Sequence, residues 1–365
     1  MSWLSGRALY VTWSNALADR AKEWFRAHAP AELDIDVMTF AELLARIDPS
    51  RPVVADLPLP RAVDLLASRL DLNAAQLGPW WGDRRLRGPE LYAELHAHLF
   101  GAAMPVAFRG RRACTEPRLS DTDYQGLRAP VIRDATKGAL IAAKKLGADD
   151  LAKLFPGPIG AFERARALQV GELVLDESLA YDHVLVDEVQ DLTLAEQWLL
   201  LDVTARAGRA RNVKPGMVVA GDEAQTVRPT AFEFGSLSEL VIHRLDVHTE
   251  KTQHELDANL RSPQTVAGVI NRARKSLYGR LDRSYRPRGR VDDSPADVTV
   301  GKVMQIVAST DDQLRATLRL FADAHGDAAL VYPGALLPEA IRRAAEDVGA
   351  LVWTSEMITR TRALS

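Results

Sequence analysis

The 365 residues hold one cysteine, Cys114. No intrachain disulfide can form, which excludes the disulfide-stapled secreted domains and makes a cytoplasmic location the expectation. Long hydrophobic runs are lacking as well. The longest near the start, Ala8 to Trp13, falls far short of the roughly 18 residues a membrane span needs, and the polar residues after it do not suit a signal-peptide core. Lysine is scarce, nine against 37 arginines. With the abundance of alanine, this reads as a base-composition bias rather than a functional signal. Neither sign of charge is in large excess: the formal net charge is −3, so any nucleic-acid binding has to come from local patches. Metal-ligand spacing is missing too. His96 and His98 lie two apart, which on a helix puts them on different faces, and no cysteine or carboxylate cluster completes a site around them.

What is present is ordinary globular material, 47% hydrophobic and 26% charged, enough for a sizeable core. At about 150 residues per domain, two to three domains are expected. Residues 1–50 alternate strand and helix: Ala8 to Trp13 as strand, Ala16 to Ala29 as helix behind Ser14 and Asn15, Leu33 to Met38 as strand, then Phe40 to Ile47 as a helix that Thr39 can cap. That alternation indicates an α/β fold. Residues 51–165 open on Pro52, Pro58 and Pro60 and become mainly helical, with an irregular Gly-, Pro- and Arg-rich stretch that includes Arg109-Gly110-Arg111-Arg112. They read as an inserted subdomain. Residues 166–255 return to strand and helix, and residues 256–365 form a last region.

The chemistry is concentrated in the third stretch. An apolar strand, Val184 to Val186, runs into Asp187-Glu188-Val189-Gln190-Asp191, and a second, Met217 to Ala220, runs into Gly221-Asp222-Glu223-Ala224-Gln225. Parallel strands of open α/β folds present functional groups at their C-terminal ends. Five carboxylates and two glutamine amides are thereby delivered to one edge. A carboxylate at such a place can hold Mg²⁺, a hard cation that keeps several waters. A neighbouring carboxylate can activate a water, and a glutamine amide can hold that water against a terminal phosphate. Taken alone, the Asp187-Glu188 pair could equally be the acidic end of a strand.

With Asn259-Leu260-Arg261-Ser262 added, the chain resembles the UvrD/Rep-like helicases of superfamily 1. Residues 187–191 are similar to that family's motif II, 221–225 to motif III and 259–262 to motif IV. Tyr10 to Leu17 is similar to motif Ia, and Met38-Thr39-Phe40 to motif Ib. The resemblance implies a RecA-like parallel sheet interrupted by the helical insertion and followed by part of a second RecA-like domain. It implies a translocase core that couples ATP hydrolysis to movement on single-stranded DNA, with ATP and Mg²⁺ bound. By that resemblance Asp187 holds the magnesium, Glu188 activates the water, Gln225 senses the γ-phosphate and Arg261 stabilises the transferring phosphoryl group, a task suited to a planar, permanently charged donor. Thr12, Ser14, Asn15 and Phe40 fall on DNA-contacting motifs. Phe232 and Phe234 lie where an aromatic stacks on bases, a contact of about 1–3 kcal/mol. Their spacing also fits core packing on one strand face, and Glu233 follows where the family has arginine. Beyond motif IV, eight cations between Arg272 and Arg290 face a single acid, Asp282, with Tyr278 and Tyr285 among them. This is either a phosphate-tracking surface or a solvated one.

A phosphate loop, Gly-x-x-x-x-Gly-Lys-Ser/Thr, is missing. Only Lys302 follows a glycine, with Val303 after it and Ala296 in the first glycine's place. Motif V is missing also, and Thr361-Arg362-Ala363 resembles motif VI only as a bare tripeptide. The family places the phosphate-loop strand centrally, so its loss is expected to leave inner strands unpaired. That favours a truncated helicase core. The alternatives are an ATPase-inactive helicase-like protein that binds single-stranded DNA or a partner, and a degenerate fragment with no function of its own.

Overall fold

Short runs of aliphatic and β-branched residues make four strands: β1 (Gly6–Thr12), β2 (Leu33–Thr39), β3 (His183–Val186) and β4 (Gly216–Val219). The computed structural model describes residues 6–30, 33–70, 77, 78, 81, 84–211, 216–225, 228–245, 268–270, 272, 310–324 and 339–347. The strands form an all-parallel sheet in the order β2-β1-β3-β4. The protein is therefore α/β. Register aligns Val11 with Met38 on one side and Val186 on the other, and Val186 with Val219. Leu9, Val11, Val184 and Val186 all enter the main core from one face. The opposite face carries Tyr10, Leu185 and Val218 in one row. Helix α1 (Asn15–His28) covers the Tyr10 end of that row, where Phe25 meets the Tyr10 ring edge-on at 5.5 Å. At the other end Val218 is 55% exposed.

The expectation of unpaired inner strands is not met. β1 and β3 pair with each other and each has a second neighbour, β2 and β4 respectively. The outer edges, including that of β4, are the ones without a strand partner among the described residues.

Helix α2 (Phe40–Ile47) starts in a reciprocal capping box: the Thr39 hydroxyl accepts from the Glu42 amide, and the Glu42 carboxylate accepts from the Thr39 amide. The insertion supplies α3 (Leu59–Arg69), α4 (Arg84–Glu94), a π-helical turn at Leu95–Phe100, α5 (Asp121–Lys145), broken at Ile132 two residues after Pro130, and α6 (Ala148–Leu154). These elements gather a second core around Leu66, Trp81, Leu91, Phe100, Tyr124 and Phe155. Gly138 permits the closest approach in it, since a Cβ there would lie 2.1 Å from the Leu77 carbonyl oxygen. The next helix, α7 (Pro156–Val170), packs Ala161, Ala165 and Leu168 into the sheet's core instead. Its buried Arg164 donates to the Leu44 and Arg51 carbonyls. Helices α8 (Leu194–Arg211) and α9 (Phe234–Leu245) complete the layer over the sheet.

The chain divides between His248 and Thr249 into two units. In the second, the described elements are α10 (Asp311–Ala324) and α11 (Glu339–Asp347), which pack together and join through an Arg315–Asp347 ion pair at 3.0 Å. Most of the last region, residues 256–365, lies outside the described residues. No helix among the described residues is long and apolar enough to cross a membrane.

His96 makes stability depend on pH. It is fully buried in the π-helical turn, where Nδ1 donates to the Pro229 carbonyl at 2.8 Å and Nε2 has no partner. Burial, helped by nearby Arg228, pushes its pKa down to about 3. Below pH 6.5 the unfolded chain takes up a proton that the folded chain refuses. Stability is therefore expected to fall by about 1.4 kcal/mol per pH unit as the solution acidifies toward that lower value. Urea unfolding at pH 7, 6 and 5 tests this. His96→Asn, which keeps a donor for Pro229 and cannot titrate, should remove the His96 share of the pH dependence and leave the share of His98, whose pKa burial lowers to about 4.

Candidate functional site

The backbone at the end of β3 keeps to the sheet for one more residue, with the Asp187 amide donating to the Val11 carbonyl at 2.9 Å. This fixes the Asp187 carboxylate at the C-terminal edge. Its Oδ2 accepts from the Tyr10 hydroxyl at 2.6 Å, and its Oδ1 accepts from the Glu188 amide at 3.0 Å. Burial and the Asp187 carboxylate raise the Tyr10 pKa well above the ordinary phenol range, so the hydroxyl keeps its proton and remains a donor to Asp187. Glu188 then adopts the left-handed conformation, φ 55° and ψ 41°. A β-carbon makes that region costly, by roughly 1–2 kcal/mol, and such strain in non-glycine residues gathers at functional sites.

The two acidic loops are joined by one side chain. Gln190 donates through Nε2 to the Glu188 carboxylate and accepts through Oε1 from the Asp222 amide at 3.2 Å. The Asp222 carboxylate in turn accepts from Gln225 Nε2 at 2.8 Å. Gly221 lets the loops approach, because a Cβ there would lie 2.6 Å from Gln190 Oε1. Asp187, Glu188 and Gln225 are thus gathered along adjacent strand ends. Asp187 and Glu188 are half-buried, and Gln225 is exposed. Arg261 lies outside the described residues, as do the rest of the 259–262 motif and all of the basic stretch except Arg272.

The DNA-contact candidates divide. Ser14 is half-buried at the head of α1 and makes no side-chain capping bond, while Asn15 is exposed. Thr12 is buried, and its hydroxyl has no hydrogen-bond partner. Phe40 has no exposed surface, and Trp13 stacks over it at 6.4 Å. A ring with no free face cannot stack on a base, so Phe40 is a core residue here. Phe232 is likewise corrected to the core: it is 8% exposed and packs edge-on against Phe234 at 4.9 Å. Phe234 is half-buried, and its amide donates to Glu223 at 2.7 Å.

Arg228 was not singled out by the sequence. It is 11% exposed, lies 3.8 Å over the Trp13 ring, donates to both Glu196 oxygens and to the Asp191 carbonyl, and pairs with Asp56 at 3.1 Å. Burial opposes its charge, yet Glu196 and Asp56 hold its pKa above the ordinary arginine value. Burial and neighbouring Glu196 raise Asp56 despite that arginine. The available signal was a lone cation three residues past Gln225, too slight to identify a partner.

No protein-family model matches the chain, and no curated protein compared with it matches.

The strain at Glu188 is measurable. Glu188→Gly and Glu188→Ala both delete the carboxylate, and only glycine relieves the left-handed backbone. The glycine variant is expected to be more stable than the alanine variant by about 1 kcal/mol, once glycine's greater unfolded-state entropy is deducted. Equal denaturant midpoints would show that Glu188 is not strained.

Proposed function

We propose that this chain is the core of a UvrD/Rep-like translocase that couples ATP hydrolysis to movement on single-stranded DNA, with its parallel sheet the first RecA-like domain. The observation that carries the reading is the continuous hydrogen-bonded line Asp187, Glu188, Gln190, Asp222, Gln225 across the ends of two paired parallel strands. Open α/β sheets bind their ligands at this edge.

The residues present fit a magnesium ion held by few protein ligands. Among the described residues no group of three or more His, Cys, Asp or Glu forms a metal cage. Mg²⁺ commonly uses one or two carboxylates and keeps its waters, and each Asp187 oxygen accepts a single hydrogen bond, so lone pairs remain. Asp187 would hold the ion, which when bound supplies positive charge to the phosphate oxygens. Glu188, held by Gln190, is placed to take a proton from an attacking water. Gln225 has an amide within reach of solvent and a link back to Asp222, the arrangement needed to report on a terminal phosphate. Arg261 would bring a permanent positive charge to the transferring group. Ser14 and Asn15 at the head of α1 and Phe234 beside the second loop are the DNA-facing candidates, whereas Thr12 is buried with its hydroxyl closed to solvent and is not one.

The sequence contains no phosphate loop, so the cradle for ATP must come from outside these 365 residues. A strand added to the open edge of β4 would make β4 interior, and the helix after it would cover Leu185 and Val218. All-parallel sheets occur almost only with both faces covered, and the exposed Val218 marks where this one is not. Carried by a chain with a phosphate-loop strand and helix fused ahead of residue 6, the site is expected to release phosphate from Mg·ATP when single-stranded DNA is added. Glu188→Gln should then lower kcat by about 10²-fold or more. Unchanged turnover in that variant would remove Glu188 from the role of base.

The missing phosphate loop favours a second reading, a DNA-binding protein without turnover. It expects ATP-independent, salt-sensitive binding to oligo(dT), and lack of binding at low salt would rule it out.

A further inference from the structure

Away from the strand ends, the insertion contains a tight, arginine-rich turn. Phe108 and Arg111 form an antiparallel bridge, exchanging backbone hydrogen bonds at 3.1 and 3.0 Å. The two residues between them both have positive φ, 50° at Arg109 and 74° at Gly110. That is the pattern of a two-residue primed hairpin turn, for which the second position suits glycine and the first strains arginine. The turn faces α9 across a shallow cleft of ≈ 560 Å³ lined by Phe108, Arg109, Arg111, Arg112, Glu239 and His243.

The three arginines differ in what holds them. Arg109 donates to Glu239 at 2.5 Å. Two further acids lie near the turn: Glu233, which accepts from the Ser236 hydroxyl and favours the Arg109 charge, and Asp123, which accepts from Ser120 and favours the Arg111 charge. Arg111 is half-buried, and its Nη1 has neither solvent nor a hydrogen-bond partner. Burial lowers its pKa from the ordinary arginine value, and neighbouring Arg109 adds to this, while Cys114 and Asp123 act the other way. Arg112 is exposed and has no ion pair among the described residues. A nitrogen left without a partner and closed to solvent is costly to the folded chain. Nη1 itself is out of a ligand's reach, so it is the part of Arg111 that lines the cleft, beside the exposed Arg112 guanidinium, that an oxyanion would meet. Guanidinium forks match phosphate oxygens bidentately.

We propose that the turn at 108–112 is a phosphate-binding site that takes a phosphodiester of the polynucleotide, with Arg111 and Arg112 as the contacting residues and the Arg109–Glu239 pair locking the turn to α9. The inference rests on the single-stranded DNA reading above and adds to it a contact surface remote from Asp187 and Glu188 in sequence.

The test is anisotropy of fluorescein-labelled oligo(dT) with the full chain across a salt series, comparing wild type with an Arg111→Gln, Arg112→Gln double variant. Two lost phosphate contacts should weaken binding about tenfold and reduce the slope of log K against log salt by about 1.4. Arg112→Glu, a change at an exposed position, should also weaken binding while leaving the thermal melt in place. Wild-type affinity and slope in both variants would overturn the site and leave the DNA reading standing. No binding by wild type would overturn both. If inorganic phosphate, at matched ionic strength, abolished the part of the affinity that depends on Arg111 and Arg112, the site would be one for small anions and the polynucleotide assignment would fall.

Discussion

The Arg228 guanidinium sets the geometry of everything around the strand ends. A permanently charged group with 11% of its side chain exposed must be fully paired, because an uncompensated buried charge costs several kcal/mol. Its partners come from four separate places: Glu196 in the first turn of α8, the Asp191 carbonyl after β3, Asp56 in the segment ahead of α3, and the face of Trp13 after β1. Satisfying one arginine therefore fixes three loops and a helix start at once. The residues that follow extend the constraint. The Pro229 carbonyl accepts from His96 in the insertion, and the Thr230 hydroxyl donates to the Gln190 carbonyl at 2.5 Å. The loop after β4 is thus pinned to the loop after β3 from both its backbone and its side chains.

That pinning explains how Glu188 can stay in a disfavoured conformation. Three non-glycine residues with positive φ stand among the described residues: Arg109, Glu188 and Ala231. Each lies in a segment held from several directions, Ala231 directly after Thr230 and Arg109 through Glu239. Local strain persists only where the surroundings over-determine it. Here the surroundings are a buried charge network and a hairpin bridge rather than regular secondary structure.

The local physics of this fold was legible in the sequence, and its long-range physics was not. Aliphatic and β-branched runs located the strands at residues 8, 33, 184 and 217 to within two residues, and Thr39 announced its own cap. Those signals depend on neighbours in the chain. The parallel pairing followed from strand–helix alternation, but the order did not: nothing local says that β1 lies beside β3, 171 or more residues away. For the same reason the sequence misplaces Phe40 and leaves Phe232 open between base stacking and the core. An aromatic beside a polar loop looks alike in sequence whether its ring faces solvent or the core, and here Trp13 and Phe234 cover the two rings. Arg228 was invisible because its partners are 32 and 172 positions distant, at Glu196 and Asp56. The boundary of α7 shows the limit from the other side. Its helical period was readable, yet only packing reveals that Ala161 and Ala165 belong to the sheet's core rather than to the insertion before it.

Gln190 gives the site its logic. A glutamine amide donates and accepts at once, and here it donates to Glu188 while accepting from Asp222. The Glu188 carboxylate, proposed above as the water-activating base, and the loop that carries Gln225 are consequently two ends of one hydrogen-bonded chain. A ligand that draws Glu188 away from Gln190 frees the Gln190 amide to turn, and the Asp222 amide then loses its acceptor. Because Asp222 also holds the Gln225 side chain, such a change cannot remain at one strand end. The side-chain hydroxyl of Thr230, bonded to the backbone of the same Gln190, carries it into the segment that leads to Phe234 and α9. The coupling that the proposed function requires needs a two-state element between its two sites, and the Gln190 amide, bonded to Glu188 on one side and to Asp222 on the other, has contacts that suit that role.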